Sequence, residues 1–244
     1  MANKKKIEER LKAQQAAKTE RTIRWLGGGV VILVLIGVIW LLTPGRSSNV
    51  LEAPTNIPTV VEVPLDEPTS APQATVKQYD AYPPMVIEPE KKYFATFKMA
   101  KGGEFIVELY ADKAPLTVNS FVFLAQEGYF DGVTFHRVLE GFMAQGGDPT
   151  GTGRGGPGYQ FANEDSDLTF DKPGVVAMAN AGRDTNGSQF FITFDAVPQL
   201  NGGYTIFGQV VEGMDVVNGI TRRDPLQSPD YLGDVIESVT ITEE

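Results

Sequence analysis

The chain of 244 residues contains no cysteine and a single histidine, His136. The lack of cysteine excludes disulfide bonds, thiolate nucleophiles and zinc sites with cysteine ligands. One histidine cannot build a zinc site that needs several, and it leaves a Ser-His-Asp triad with only one possible base. His136 precedes Arg137 in a predicted strand, so we expect the two side chains on opposite faces and interpret His136 as a structural, hydrogen-bonded residue.

Three motifs that would indicate other chemistry are incomplete. Ser188 lies in the sequence Asn-Gly-Ser-Gln, which is not the G-x-S-x-G turn of serine hydrolases. Residues 151–156 have the spacing G-x-G-x-x-G, but Pro157 follows where a dinucleotide site needs a helix. The acidic residues between 148 and 171 lack the spacing of a calcium loop. We therefore predict no cofactor and no metal site. We interpret residues 146–173, called the glycine-rich loop below, as a flexible, solvated loop.

Charge is distributed unevenly along the chain, whose net charge is −10. Residues 1–24 hold eight Lys/Arg against three Glu, whereas residues 92–244 hold ten Lys/Arg against 21 Asp/Glu. An acidic domain repels phosphate backbones, so we predict that nucleic acid is not a partner.

The basic residues 1–24 lead into a long apolar run, residues 25–42, WLGGGVVILVLIGVIWLL. As a helix this run would cover about 27 Å of a hydrocarbon core roughly 30 Å thick. The alternative is a cleaved signal peptide, but the basic tail is too long for one and residues 43–46 make a poor cleavage site. We predict a single-pass transmembrane anchor with a cytoplasmic tail at 1–24, and, because the Lys/Arg excess lies on that side, the rest of the chain outside the cytoplasm.

Residues 43–91 form a proline-rich segment, with nine of the sixteen prolines lying between 43 and 90. No hydrophobic period is sustained there, so we predict a disordered stalk that gives the following domain reach over the membrane surface. A second interpretation takes residues 79–86, YDAYPPMV, as a docking or autoinhibitory segment with its own X-Pro bond.

Residues 92–244 change to strand-like alternation and are predicted to be one folded domain. Residues 93–99 and 104–110 resemble a β-hairpin, and Pro115 begins a predicted helix that ends at Gly128. Many short strands with glycine turns and few helices predict a mainly β antiparallel barrel or sandwich. Further predicted elements are strands near 175–179, 189–193, 204–211 and 234–242 and a short helix near 214–220.

Two segments, Phe135–Gln145 (FHRVLEGFMAQ) and Met178–Phe191 (MANAGRDTNGSQFF), combine a guanidinium, apolar side chains and neutral amides. A sheet could place them side by side in one shallow site. No nucleophile with its base is evident, so such a site would hold a peptide and stabilise polar atoms without breaking bonds. The residues concerned are Arg137, Phe142, Met143, Gln145, Asn180, Gln189 and Phe191.

These segments, with FGQVVEGMDVVNGI at Phe207–Ile220, resemble the signature of cyclophilin-type peptidyl-prolyl isomerases from about Tyr93 onward. The resemblance implies a closed eight-stranded antiparallel barrel capped by two helices. It also implies roles for site residues: catalytic Arg137, Phe142 and Gln145, and substrate-binding Met143, Ala179, Asn180, Gln189, Phe191, Leu200 and Tyr204. The sequence departs from a common family pattern at Gln199, often Trp, and at Tyr204, often His, so we expect weak inhibition by cyclosporin.

The sequence therefore predicts a membrane-anchored bacterial peptidyl-prolyl cis-trans isomerase (rotamase) that acts on X-Pro bonds of unfolded or exported proteins and assists their folding outside the cytoplasm. We expect its catalytic domain to be monomeric. The alternative is a chaperone or scaffold module that grips X-Pro segments without turnover. The presence of all three catalytic residues favours the enzyme.

Overall fold

The structure, a computed structural model, describes residues 77–227 and 229–244. The predicted tail, the predicted anchor at 25–42 and residues 43–76 of the predicted stalk lie outside this range. Within it, no helix has the length and apolar character needed to cross a membrane.

The described residues form a mainly β fold with one eight-stranded antiparallel sheet and two α-helices. The order of the strands in the sheet is β3-β4-β6-β5-β7-β2-β1-β8. The strands are β1 (Tyr93–Met99), β2 (Glu104–Leu109), β3 (Arg137–Leu139), β4 (Met143–Gly146), β5 (Val175–Met178), β6 (Phe190–Thr193), β7 (Ile206–Glu212) and β8 (Ile236–Glu243). The helices are α1 (Pro115–Gln126) and α2 (Met214–Asn218), and short 3₁₀ turns occur at Pro198–Leu200 and Pro225–Gln227.

Helix α1 begins at Pro115, as the sequence predicts. Proline has no backbone N–H, so it leaves no donor unsatisfied at the first helical position. The N–H groups of Leu116 and Thr117, in the first turn of the helix, donate to the carboxylate of Glu164 at 3.0 and 2.8 Å. A buried carboxylate at the N-terminus of a helix pairs with donors that have no partner inside the helix. Its negative charge also interacts favourably with the positive end of the helix dipole. The helix ends before Gly128, whose positive φ of 62° suits the reversal of the chain.

Strands β5 and β6 are buried on both faces, whereas β3 and β4 also carry partly exposed residues, and alternate residues of these strands enter two different clusters. One face carries Val138, Ala144, Ile192 and Val176, which belong to the main core together with residues of α1. The opposite face carries Met143, Phe191, Ala177 and Val175, which belong to a second, smaller cluster. Because successive side chains of a strand point to opposite faces, each strand contributes to both.

The two ends of the sheet, β3 and β8, are not joined by a ladder; short contacts involve the connections beside them. Thr134 forms an isolated bridge with Val235, and Val138 forms another with Arg223. The strands thus make an open, curled half-barrel, and the closed barrel stays a prediction.

Residues 77–91, which the sequence analysis placed in the stalk, are packed against the domain. Ile87 belongs to the main core, and Tyr79, Tyr82 and Met85 pack against it. Asn119 of α1 accepts a hydrogen bond from the N–H of Val86 at 2.7 Å. The folded part therefore starts upstream of residue 92, because aromatic side chains scattered among the prolines supply apolar surface that has no strand or helix period. Within the described part of the chain, residues 77–87 form no hydrogen bond or ring contact with a predicted site residue.

Candidate functional site

A row of paired residues crosses five strands on the face of the second cluster. Arg137 of β3 pairs with Gln145 of β4, Gln145 pairs with Phe191 of β6, and Phe191 pairs with Ala177 of β5. Ala177 in turn pairs with Ile206 of β7. The antiparallel register therefore brings the two segments singled out in the sequence side by side, with the guanidinium at one end of the row.

Apolar side chains surround this row. Met143 and Phe191 are 2% and 4% exposed, and the partly buried Phe142 packs against the same cluster. The Phe191 ring stacks on Phe170 at a centroid distance of 5.8 Å and meets Tyr204 edge-on at 5.3 Å. Rings in these orientations favour fixed positions, so the surface is rigid as well as apolar.

A chain of hydrogen bonds between side chains runs from the guanidinium into the glycine-rich loop. Arg137 Nη1 donates to Gln145 Oε1 at 3.4 Å and lies 3.9 Å from the sulfur of Met143. Gln145 Nε2 donates to Gln189 Oε1 at 2.9 Å. Gln189 Nε2 donates to the carbonyl oxygen of Gly155, also at 2.9 Å. Each glutamine accepts on one side and donates on the other, which fixes the orientation of both amides.

The remaining predicted residues lie on the connections that follow β5 and β6. The backbone N–H of Ala179 donates to the carbonyl of Gln189 at 2.9 Å, and Asn180 Nδ2 donates to the carbonyl of Gly203 at 3.3 Å. Leu200, which ends a 3₁₀ turn, packs with Ala179 and Tyr204 against the second cluster. Gln199 is exposed. The structure thus joins all ten predicted residues by strand pairing, hydrogen bonds or packing in one cluster; their roles stay predictions.

The electrostatics of the site are those of a single cation among neutral groups. Within the described residues Arg137 is in no salt bridge, so the donors other than Nη1, which contacts Gln145 and Met143, are available to a ligand. No described group of three or more His, Cys, Asp or Glu residues could hold a metal ion. The arrangement can hold a peptide against an apolar surface and direct a cationic donor at it.

His136 is 2% exposed and neither of its ring nitrogens has a hydrogen-bond partner in the structure. Burial agrees with the structural role that the sequence predicts, and the backbone of Thr134 is close enough to favour the protonated ring, so the predicted hydrogen bond stays a prediction. Burial lowers the pKa of His136 below its ordinary value. Ser188 Oγ donates to the carbonyl of Gly147 and is bonded to Tyr129, so no Ser-His pair forms.

Sequence reasoning missed two contributors to the site. Phe170, which is fully buried under Phe191, was assigned to the long loop. The carbonyl of Gly155 is a backbone group, so no side-chain motif indicates its role. An isolated aromatic residue in a polar loop, as in Leu168–Phe170, is the one signal that could have indicated packing of this kind.

Comparison with known proteins places the chain in a family. Residues 94–242 match the family model of the cyclophilin type peptidyl-prolyl cis-trans isomerases. The match covers more than half of the chain, and the chain therefore belongs to this family of peptidyl-prolyl cis-trans isomerases.

Individual relatives agree with that assignment. The probable peptidyl-prolyl cis-trans isomerase A of Mycobacterium bovis is 49% identical over 160 residues, which cover 57% of this chain and 87% of that protein. The peptidyl-prolyl cis-trans isomerase-like 1 of Mus musculus is 48% identical over 144 residues, covering 57% and 84%. A crystal structure of a Cryptosporidium parvum cyclophilin type isomerase has a TM-score of 0.56 at 33% identity, covering 63% of this chain and 99% of that one. A second crystal structure of that protein, in the presence of the dipeptide Ala-Pro, has a TM-score of 0.55 at 34% identity, covering 62% and 99%.

Proposed function

We propose that the enzyme accelerates rotation about X-Pro bonds without covalent chemistry, by holding the proline on the second cluster while Arg137 donates to the prolyl nitrogen. The observation that carries the proposal is the position of the guanidinium. It is held by Gln145 beside Met143, at the edge of an apolar surface, and has no salt-bridge partner among the described residues.

The physical case begins with the barrier of the reaction. The C–N bond has partial double-bond character, and its rotation costs about 18–20 kcal/mol. As the carbonyl swings, the nitrogen loses conjugation and becomes a better acceptor. A donor directed at that nitrogen binds the transition state more strongly than either ground state, which is the condition for catalysis. Arginine suits the role because its charge is permanent and its donors are fixed in a plane.

One hydrogen bond does not supply the whole effect. Completing in milliseconds a rotation that otherwise takes tens of seconds requires the barrier to fall by about 5.5 kcal/mol. A hydrogen bond to a charged group contributes about 1.5–3 kcal/mol. The remainder is assigned to positioning, with Phe142, Met143 and Phe191 gripping the proline ring and Gln145 and Asn180 fixing the substrate backbone.

Support for proline-containing peptides as substrates comes from two sources. The Cryptosporidium parvum relative was crystallised in the presence of Ala-Pro. The candidate site of this chain combines the apolar side chains of the second cluster with neutral amides. This chemistry suits a proline ring flanked by peptide groups.

The proposal extends to the cellular setting. The apolar run at 25–42 with its basic flank would anchor a bacterial enzyme in the membrane, with the catalytic domain outside the cytoplasm and exported proteins as its clients. The domain would act as a monomer. Protease treatment of intact spheroplasts checks the orientation: digestion of the domain before lysis is expected, and digestion only after lysis would reverse the topology.

The direct test of catalysis is isomerisation of an Ala-Pro peptide by the full chain and by two arginine variants. Arg137→Ala should lower kcat/KM roughly 10- to 100-fold, because a charge-assisted hydrogen bond of the transition state is lost. Arg154→Ala is the matched control, since this substitution removes the same charge from an exposed side chain on the glycine-rich loop. Peptide binding without acceleration by the unmodified chain would favour the scaffold instead.

A further inference from the structure

Residues 77–87, here called the N-terminal segment, precede the part of the chain that matches the family model and lie against the glycine-rich loop. Gln78 Nε2 donates to the carbonyl of Gly156 at 2.7 Å, and the N–H of Tyr79 donates to the carbonyl of Pro157 at 2.8 Å. The approach is close: a Cβ at Gly158 would lie 2.6 Å from the carbonyl oxygen of Tyr79. The segment and the loop therefore fit each other only with glycine at this position.

The part of the loop that is held in this way is the part that reaches the site. The carbonyl of Gly155, one residue before the first of these contacts, accepts the hydrogen bond from Gln189. Gln189 holds Gln145, and Gln145 holds Arg137. Displacement of Gly155 would leave the Gln189 amide without its acceptor and free the orientation of both glutamines.

A second connection runs through aromatic rings. The centroid of the Tyr79 ring lies 5.1 Å from that of Phe123, 6.4 Å from that of Tyr129 and 6.5 Å from that of Tyr159. The hydroxyl of Tyr129 is bonded to Ser188, the residue before Gln189, at 3.1 Å. The N-terminal segment thus contacts Gly156, which follows the acceptor of Gln189, and lies beside Tyr129, which is bonded to the residue before Gln189.

The loop needs such support because five of its residues, 151, 153, 155, 156 and 158, are glycines. Glycine loses more conformational freedom on ordering than any other residue. Within the loop, Asp148 accepts a hydrogen bond from the N–H of Gly155 at 3.1 Å, and the N-terminal segment adds bonds to the carbonyls of Gly156 and Pro157. Hydrogen bonds from the N-terminal segment to these two adjacent carbonyl groups reduce the number of conformations that the loop can adopt.

We infer that the N-terminal segment is a positioning element for the isomerase site, acting on Gln145 and Arg137 through the glycine-rich loop and Gln189. The inference rests on the proposed function for the role of those two residues. It assigns a part in catalysis to a segment outside the matched family region, through Gln78 and Tyr79, which contact no substrate themselves.

The test uses the full chain with four single substitutions. Tyr79→Ala removes the ring, and Gln78→Ala removes the hydrogen bond to Gly156. Tyr79→Phe keeps the ring and removes only a hydroxyl that has no hydrogen-bond partner in the structure. Asp80→Ala changes an exposed neighbour. Two quantities are measured for each protein: kcat/KM for an Ala-Pro peptide, and the NMR signals of the side-chain amides of Gln145 and Gln189, below the unfolding transition.

We expect Tyr79→Ala and Gln78→Ala to shift or broaden both amide signals and to lower kcat/KM roughly 3- to 10-fold, the effect of one lost hydrogen bond on a rate. Tyr79→Phe and Asp80→Ala should match the unmodified chain in both measurements. Unchanged amide signals in the first two variants, even with a lower melting temperature, would overturn the inference and leave the segment a purely structural one. An unmodified chain without isomerase activity would contradict the proposed function, while the amide signals would still decide the inference.

Discussion

The two faces of strands β3 to β6 can be compared residue by residue, because each strand contributes alternately to both. The face directed at the main core carries Val138, Ala144 and Ile192, all apolar and at most 1% exposed. The opposite face carries Arg137 and Gln145, both partly exposed, beside Phe191. Of two neighbouring residues in one strand, one therefore stabilises the fold and the next is available to a ligand.

This separation has a mechanical consequence for the site. The side chains that face the ligand are attached to a backbone whose other face is packed against α1 and the main core. A site built on such strands holds its groups more precisely than one built on loops alone. We therefore expect substitutions on the core face to change mainly stability and those on the site face to change mainly activity.

The largest expected effect is on the core face at Phe190. This ring is fully buried and contacts Phe97, Phe121 and Phe130. Phe190→Ala should lower the free energy of unfolding by about 3–5 kcal/mol, because a large cavity remains in the core. Urea denaturation measures the change, and Leu226→Ala, at a side chain that is 93% exposed, is the control. A loss below about 1 kcal/mol would contradict this assignment of the core face.

On the site face, Phe142→Ala should affect catalysis more than folding. Loss of an apolar contact with the proline ring, worth about 1.5–3 kcal/mol when fully formed, corresponds to a decrease in kcat/KM of roughly 10- to 100-fold. The ring is only partly buried in the unliganded protein, so the melting temperature should change little. A variant that is destabilised as strongly as Phe190→Ala, with normal activity per folded molecule, would remove Phe142 from the site.

The pH dependence of stability should also differ from that of activity. Burial lowers the pKa of His136, so the folded state binds its proton less readily than the unfolded state. The free energy of unfolding should therefore fall as pH drops below the ordinary value of 6.5, by at most about 1.4 kcal/mol for each pH unit. The three proposed catalytic residues include no histidine and no carboxylic acid, so the isomerisation rate should stay constant over the same range.

Denaturation at pH 7.5 and 5.5 checks this expectation, with His136→Leu as the comparison. Asp148 contributes in the same direction but at lower pH: burial raises its pKa, hydrogen bonds from Thr150 and Gly155 outweigh that effect, and its pKa lies below the ordinary 3.8. A variant without His136 whose stability still falls equally between the two pH values would contradict the role of this histidine.

The smallest expected effect concerns the hydrogen-bond chain. Gln189→Leu removes the link between Gln145 and Gly155 and should lower kcat/KM roughly 3- to 10-fold. Gln209→Leu is the matched control, because Gln209 Nε2 likewise donates to a loop carbonyl, that of Pro173, away from the row. Equal effects of the two substitutions would mean that the chain of glutamines has no special part in the reaction.

Sequence reasoning was accurate where the determinants are local. The hairpin β1–β2 and the start of α1 at Pro115 follow from alternation and from the geometry of proline, which need no distant partner. The pairing of Gln145 with Phe191 was indicated by two segments of matching chemistry, although only the register in the sheet places them opposite each other.

What the sequence did not indicate depends on contacts between distant residues. Tyr82 bonds to the carbonyl of Leu116, 34 positions along the chain, and Gln78 bonds to Gly156, 78 positions along. Neither partner has a period or motif, so composition alone assigned residues 77–91 to a disordered stalk. The ends of the sheet likewise meet through isolated bridges, which an alternating pattern does not reveal.

The central claim, that adjacent positions of one strand serve stability and catalysis separately, is tested most directly at Arg137 and Val138. Arg137→Ala and Val138→Ala would be compared with the unmodified chain by peptide isomerisation and by urea denaturation on the same preparations. The account predicts that Arg137→Ala loses activity roughly 10- to 100-fold and unfolds at nearly the unmodified urea concentration. It predicts that Val138→Ala unfolds at a clearly lower urea concentration and keeps its activity per folded molecule. Parallel losses of activity and stability in both variants would contradict it.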